Sequence, residues 1–181
     1  FFAMGGAERH NVAAVDSETG RATEWNPGTD GDVYDLTVYG RSVYVAGRFF
    51  TAAGQQRFNL ASVNFDSGEA SDWSPDPDDA VRRLSISGNI IYVGGDFSSI
   101  AGQARPGLAA LHVDVETTVD WKPAVVGQQV RTLALNGDRI LASSELRRDS
   151  KPRRRLGPRS GRRCRDPRAR CPRWFRCSSS R

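Results

Sequence analysis

The stretch VRRLSISGNIIYVGG, residues 81–95, decides the fold of this chain. Apolar and polar residues alternate from Leu84 to Ser87, and a second apolar run, 90–95, follows the two-residue turn Gly88-Asn89. Short runs rich in Val, Ile, Leu and Tyr on both sides of such a turn are typical of an antiparallel β-hairpin. No segment carries the apolar period of an amphipathic helix, so the sequence predicts an all-β protein.

This hairpin belongs to a repeat of 48 residues. Trp25, Trp73 and Trp121 keep that spacing, and each is followed two positions later by a proline. The other recurring positions are Arg9, Arg57 and Arg105, then Phe1, Phe49 and Phe97, then Gly6, Gly54 and Gly102. Many independent positions agree on one period, which indicates a repeat architecture.

Each repeat unit carries four predicted strands, which in the best-preserved unit are 81–87, 90–95, 107–114 and 118–123. Four strands in about 40–50 residues is the signature of a β-propeller blade. We therefore predict a β-propeller fragment of four-stranded antiparallel blades, with a partial blade at 1–27, blades at 33–75 and 81–123, and a partial blade at 130–143.

That is about three blades' worth of chain, whereas a closed propeller typically needs about 4–8 blades. We expect the chain to be a piece of a longer propeller. The remaining blades would be supplied in cis or by self-association.

Charge divides the chain after Glu145. Residues 1–145 carry 11 Lys+Arg and 19 Asp+Glu, a net charge of −8, whereas residues 146–181 carry 15 and 2, a net charge of +13. The repeat pattern stops at this boundary, and a one-base shift in GC-rich codons for 152–157 restores a sequence like the third strand. We expect 146–181 to be an Arg-rich disordered tail derived from a frameshift.

The tail offers two further interpretations. Its basic residues would attract polyanions, but no DNA- or RNA-binding motif accompanies them, so no specific nucleic-acid partner is predicted. All three cysteines, Cys164, Cys171 and Cys177, lie there without a nearby histidine, which does not indicate zinc. No apolar run in the chain is long enough to span a membrane.

Residues for catalysis are few. His10 and His112 lie in no Ser-His-Asp or metal-ligand pattern, so no catalytic residue is predicted. The calcium candidates are the carboxylates of two inter-blade loops, Asp30, Asp32, Asp76, Asp78 and Asp79. The third copy of that loop has no acid, which favours solvated acidic loops over a metal site, and no cofactor beyond possible calcium is predicted.

The repeated side chains have predicted structural roles. A tryptophan at a fixed place in every blade is expected to pack between adjacent blades. An arginine at the loop–strand junction is expected to hold the loop by donating to carbonyls. Exposed rows of either residue would instead bind sugars or acids. Glu116 replaces the turn glycine found at 20 and 68, so we expect that hairpin to be looser.

Segments 43–75 and 91–123 resemble the bacterial delta-60-type β-propeller repeat, and the likeness extends over residues 1 to about 145. The matching residues are Gly54, Arg57, Leu60, Ala61, Gly68, Trp73 and Pro75 in the first copy, and Gly95, Phe97, Gly102, Arg105, Leu108, Ala109, Trp121 and Pro123 in the second. Arg48 and Glu116 depart from the pattern. The resemblance implies a propeller in a large secreted or surface protein, and it implies no activity and no catalytic residues.

The functional prediction is a non-catalytic binding, adhesion or scaffold module, extracellular or at the cell surface, with a protein or carbohydrate ligand whose identity the sequence leaves open. The alternative is a fragment of a propeller enzyme whose active site lies in missing blades. Residues 14–25 resemble the Trp-docking repeat of quinone-dependent dehydrogenase propellers, and a hydrolase is the other possibility of this kind.

Overall fold

The computed structural model describes residues 1–123 and 129–144. Within these ranges the chain is all-β, without a helix and hence without a helix able to cross a membrane, and its strands form antiparallel sheets of two or three strands. The predicted disordered tail, its frameshift origin and its three cysteines lie outside the described residues.

The strands in chain order are β1 (Ala3–Met4), β2 (Ala7–Glu8), β3 (Asp32–Tyr39), β4 (Ser42–Arg48), β5 (Thr51–Ala52), β6 (Gln55–Gln56), β7 (Leu60–Asn64), β8 (Val81–Ser87), β9 (Ile90–Gly95), β10 (Ser99–Ile100), β11 (Gln103–Ala104), β12 (Leu108–His112), β13 (Val130–Asn136) and β14 (Arg139–Ser144). They form a first sheet in the order β3-β4-β7, a second in the order β12-β9-β8, and a third of β13 and β14. Three two-residue hairpins, β1-β2, β5-β6 and β10-β11, lie in the loops between the longer strands.

The predicted central hairpin is confirmed: β8 and β9 have the predicted bounds, and the turn between them is Gly88-Asn89. Gly40, Gly88 and Gly137 open the three equivalent turns with φ of 59°, 58° and 61°. A glycine at positive φ in the first central position fits a type II′ turn, whose twist matches that of the flanking strands.

The predicted fourth strand of each unit is not a strand in the described residues. Its pairing is limited to single bridges such as Val63↔Ala70 and Leu111↔Thr118. After the bridge the Trp73 N–H turns to the Ser71 hydroxyl, 3.3 Å away, and Pro75 has no N–H to offer. Each full unit is therefore a three-stranded sheet with a bridged segment. The described sheets form no closed ring, so the propeller stays a prediction.

Neighbouring sheets pack against one another in chain order. One buried cluster joins Tyr44, Ala46 and Leu60 of the first sheet to Ile91 and Val93 of the second. A second cluster joins Val12 and Trp25, from the N-terminal segment, to Val43, Val45 and Val63 of the first sheet. The third sheet contacts the second through β13. Buried apolar residues thus connect the first sheet to the second, and the N-terminal segment to the first sheet.

Trp25 and Trp73 lie at these junctions. The Trp25 Nε1–H donates to the Asn64 carbonyl at 2.9 Å, and the Trp73 Nε1–H donates to the His112 carbonyl at 3.2 Å. Both rings are buried, and Trp121 is half-buried. Each of these two tryptophans belongs to one repeat unit and donates to the carbonyl of the last residue of the third strand in the next unit.

The recurring arginines hold the bridged segments. Arg57 Nη2 donates to the Ser71 carbonyl at 2.7 Å, and Arg9 Nη2 donates to the Thr23 carbonyl at 2.5 Å. In the third copy Arg105 Nη2 donates to the Thr118 hydroxyl at 3.3 Å. Each arginine thereby holds the segment that carries the next tryptophan.

A further repeat position was missed at the level of sequence. Asn11, Asn59 and Gly107 are spaced by 48 residues and share the left-handed conformation, with φ of 63°, 59° and 70°. Asn11 Nδ2 donates to the Thr29 carbonyl at 3.0 Å, and Asn59 Nδ2 donates to the Pro77 carbonyl at 2.9 Å. Asparagine tolerates positive φ and adds a hydrogen bond to the inter-sheet loop, which explains why either asparagine or glycine occurs at this repeat position.

We predict that Asn59→Gly lowers the free energy of unfolding by about 1 kcal/mol, because the bond to Pro77 is lost while the backbone conformation stays accessible. Asn59→Ala should cost about 1 kcal/mol more, because alanine also has to adopt the left-handed conformation. Urea unfolding of both variants measures the difference. Equal stability of the two variants would contradict the conformational part of this account.

Candidate functional site

Three neighbouring strands carry a β-bulge at the same repeat position. In β3 the register shifts between Val33 and Asp35, which leaves Tyr34 as the extra residue. The corresponding shifts leave Arg82 as the extra residue in β8 and Arg131 in β13. A bulge redirects the side chain of the extra residue, and bulges are frequent beside functional sites.

The bulged residues meet at one cavity. Its volume is about 470 Å³. It is lined by Val33, Tyr34, Arg82, Arg83, Arg131 and Thr132, two from each of the three sheets. Three arginines around one cavity contrast with the net charge of −8 of residues 1–145. This cavity, here called the arginine pocket, is the candidate functional site.

Arg82 is held in place from two sides. Its Nε donates to Asp96 Oδ2 at 3.0 Å and its Nη2 donates to the same oxygen at 2.5 Å. Its guanidinium also lies 5.2 Å from the centre of the Tyr34 ring, which is cation–π distance. The hydrogen bonds that Arg82 donates to Asp96 raise the pKa of Arg82 above its ordinary value, so this side chain is a fixed positive charge.

Arg83 and Asp35 join the first and second sheets beside the pocket. Arg83 Nη1 donates to the Tyr34 carbonyl at 3.2 Å, and the Leu84 N–H donates to Asp35 Oδ2 at 2.8 Å. These bonds fix the backbone that presents the arginines. The pocket therefore combines ordered guanidinium groups with one aromatic ring, and guanidinium forks suit carboxylates and phosphates.

A break in the apolar alternation of the first strands marks this site in the sequence. In each of the three strands two residues separate the first apolar position from the next, as in Val81-Arg82-Arg83-Leu84, where strict alternation allows only one. This break in the period marks the bulge. Because Tyr34, Arg82 and Arg131 differ in type and the last spacing is 49 residues, they do not stand out as a repeat position.

Two of the five predicted calcium candidates accept hydrogen bonds from backbone N–H groups. Asp30 Oδ1 accepts from the N–H groups of Phe50 and Thr51 at 2.8 and 2.9 Å. Asp78 Oδ1 accepts in the same way from Ser98 and Ser99 at 2.7 and 2.9 Å. These two carboxylates therefore cap the loop that follows the second strand of the next sheet.

The other three acids have different surroundings. Asp79 Oδ1 lies 2.8 Å from Arg48 Nη2, Asp76 Oδ1 accepts from the Ser74 hydroxyl at 2.6 Å, and Asp32 is exposed in β3. Among the described residues no group of three or more His, Cys, Asp or Glu side chains converges as metal ligands would. The predicted calcium candidates therefore form no such group of three or more within the described residues.

The two histidines also lie apart. His10 Nε2 is 3.2 Å from Glu8 Oε1, and the ring packs edge-on against Phe2 at 6.0 Å. His112 ends β12, where its carbonyl accepts from Trp73.

The remaining repeat positions belong to the core and to turns. Phe49 and Phe97 are fully buried and Phe1 is exposed. Gly54 and Gly102 have φ of 71° and 69°, in the turns of the hairpins β5-β6 and β10-β11.

Glu116, at the turn where a looser hairpin is predicted, has a hydrogen-bond partner outside that turn. Glu116 Oε1 accepts from the Ser74 N–H at 2.9 Å, a bond for which the equivalent Gly20 and Gly68 have no side chain. The carboxylate thus ties this turn to the segment that carries Trp73.

Comparison with protein-family models, with curated proteins and with solved structures finds no match for this chain. The assignment of a function therefore rests on the site itself.

The capping carboxylates predict a pH dependence. Burial raises the pKa of Asp78, but the hydrogen bonds from Ser98 and Ser99 outweigh it and hold the pKa below its ordinary value of 3.8. A carboxyl group with a depressed pKa in the folded state adds stability above its unfolded pKa, and this stability is lost as the pH falls through the folded pKa.

Asp78→Asn should therefore flatten the fall in unfolding free energy below about pH 4.5. Urea unfolding at several pH values measures the slope. Asp32→Asn serves as the control, because Asp32 is exposed and caps no loop. An unchanged slope in the Asp78 variant would show that the cap does not contribute.

Proposed function

We propose that this chain is part of a β-propeller that serves as a non-catalytic binding or scaffold module, with the arginine pocket as its ligand site. Three kinds of observation support the propeller. Successive sheets pack face to face in chain order. A tryptophan bond links one unit to the next. The strands recur with the spacing of the sequence repeat.

The observation that carries the binding function is the shared bulge. Tyr34, Arg82 and Arg131 come from the first strands of three neighbouring sheets and line one cavity. In a propeller the first strands of the blades surround the central channel. A ligand at this pocket would be contacted by several blades at once.

The chemistry of the pocket favours an anionic group. Charge-assisted hydrogen bonds from guanidinium groups to a carboxylate or phosphate are about twice as strong as neutral ones. The Tyr34 ring has the Arg82 guanidinium over one face and borders the cavity, so its remaining surface would pack against a sugar ring. We therefore propose a carboxylate-bearing carbohydrate as the ligand, at the extracellular or cell surface.

The test is titration calorimetry of the full chain with a short oligogalacturonate. The ligand control is an oligosaccharide of equal length whose carboxylates have been reduced to alcohols, so that it is neutral. Arg83→Gln removes a charged donor without leaving Asp96 unpaired. The loss of a charge-assisted hydrogen bond, about 1.5–3 kcal/mol, should weaken binding roughly tenfold to a hundredfold.

The basic segment 146–181 requires its own control, since a net charge of +13 attracts any polyanion. A variant with Arg153, Arg154 and Arg155 changed to Gln should bind the oligogalacturonate about as well as the parent chain. If this variant loses binding and Arg83→Gln does not, the pocket is not the site. Preference for an acidic peptide over the acidic sugar would reassign the ligand class.

A further inference from the structure

The turn that follows β13 has an asparagine where the equivalent turns have none. β13 ends on Asn136, and Gly137 opens the turn. The equivalent glycines of the other two hairpins follow Tyr39 and Ser87, and of the six asparagines in the chain Asn136 alone precedes a glycine. Glycine has no side chain to shield its own backbone nitrogen. The turn therefore places a carboxamide beside an unshielded nitrogen.

Both groups are accessible in the folded chain. Asn136 and Gly137 are exposed. Within the described residues, neither the Asn136 side-chain amide nor the Gly137 N–H has a hydrogen-bond partner. A Cβ on Gly137 would meet no described atom within 4 Å, apart from those of its two neighbours in the chain. The turn therefore has room for a ring that joins the two residues.

This openness is shared by the equivalent turns of the repeat. The second sheet contacts both the first and the third sheet through β8, yet residues 87–89 at its turn are exposed. A Cβ on Gly88 or Gly40 would likewise meet no described atom within 4 Å beyond the neighbouring residues. The tip of the hairpin thus lies in solvent even where the sheet has a neighbour on each side.

The other asparagines are less suited to the same reaction. Asn26 precedes Pro27, which has no N–H. Asn89 precedes Ile90, a β-branched residue that pairs with Ser87 at the start of β9. The three remaining side chains are occupied by hydrogen bonds, and they are those of Asn11, Asn59 and Asn64.

We propose that Asn136 is a site of spontaneous deamidation, at which the chain converts its own asparagine to aspartate and isoaspartate. The Gly137 nitrogen gives its proton to a hydroxide ion and attacks Asn136 Cγ. The bond between this nitrogen and Cγ forms, the bond between Cγ and Nδ2 breaks, and Nδ2 leaves as ammonia after taking a proton from water. The product is a five-membered succinimide ring.

Water then opens the ring at one of its two carbonyl carbons. Attack at Cγ gives aspartate, and attack at the main-chain carbonyl gives isoaspartate, whose backbone runs through Cβ and Cγ. The reaction consumes one water and releases one ammonia, without an oxidant or a reductant. The mass changes by the difference between a hydroxyl and an amino group, and a carboxylate is created beside Asp138.

The isoaspartate form alters the hairpin that leads to the arginine pocket. Asn136 pairs with Arg139 next to the turn, and β13 carries Arg131 and Thr132 to the cavity. An additional backbone carbon at position 136 displaces the pair with Arg139 from its register. The modification therefore weakens the strand ladder at the turn end of the third sheet.

Peptide mapping by mass spectrometry tests the proposal on the full chain after incubation in neutral buffer. Trypsin releases residues 132–139 with Asn136 and residues 84–105 with Asn89. The peptide 132–139 should show the mass change and separate into two forms, of which the isoaspartate form accepts a methyl group from a protein isoaspartate methyltransferase. Conversion of Asn89 should be at least about tenfold slower, because the β-branched Ile90 crowds the attacking nitrogen.

Ser87 and Asn136 hold the same repeat position, so exchanging their side chains gives matched variants. Asn136→Ser should abolish the conversion in 132–139, and Ser87→Asn should add it to 84–105. The same chain kept in urea gives the rate that the local sequence sets without the fold.

Two results would overturn the proposal. One is a peptide 132–139 that stays unconverted in the folded chain when the same peptide has converted in urea. The other is formation of aspartate without isoaspartate, since direct hydrolysis of the side-chain amide does not pass through the Gly137 nitrogen.

Discussion

The bond from a tryptophan indole to a carbonyl of the next sheet is the contact on which the rest of this fold depends. A three-stranded sheet of this size has an apolar face that it cannot bury alone. Trp73 lies in the cluster that joins the first and second sheets and anchors its Nε1–H on His112 at the far side of the junction. The ring supplies buried area and the bond supplies direction, so consecutive sheets stack in one orientation.

This constraint explains why the fourth segment of each unit leaves its sheet. A regular fourth strand would alternate its side chains above and below the sheet for several residues. The tryptophan instead has to turn toward the next unit, and the segment is held by other means. Arg57 donates to the Ser71 carbonyl, the Trp73 N–H turns to the Ser71 hydroxyl, and Pro75 ends the segment without a donor. The arginine thus holds the fourth segment in its own unit, and the tryptophan connects that segment to the next unit.

Local features of this fold can be predicted from the sequence alone, whereas features that depend on contacts between separate segments cannot. The hairpin of β8 and β9 was predicted to the residue, because alternation and a glycine turn are local signals. The absence of a fourth strand was not predicted, because the hydrogen bonds that replace the strand ladder come from residues outside the segment, such as Arg57. The arginine pocket was not predicted either. Its residues belong to three sheets, and only their packing brings Tyr34, Arg82 and Arg131 together.

The bulges link packing to the candidate site. A strand without a bulge would place residue 82 in the regular alternation of β8, paired across the ladder to β9. The extra residue in each first strand frees one side chain from the alternation at the point where three sheets meet. Because all three strands have the bulge at the same repeat position, this geometry belongs to the repeat, while the side chains placed there differ from unit to unit. A repeat fold of this kind can therefore change the side chains that line this cavity by changing one residue per unit, without altering the tryptophan contacts that hold the sheets together.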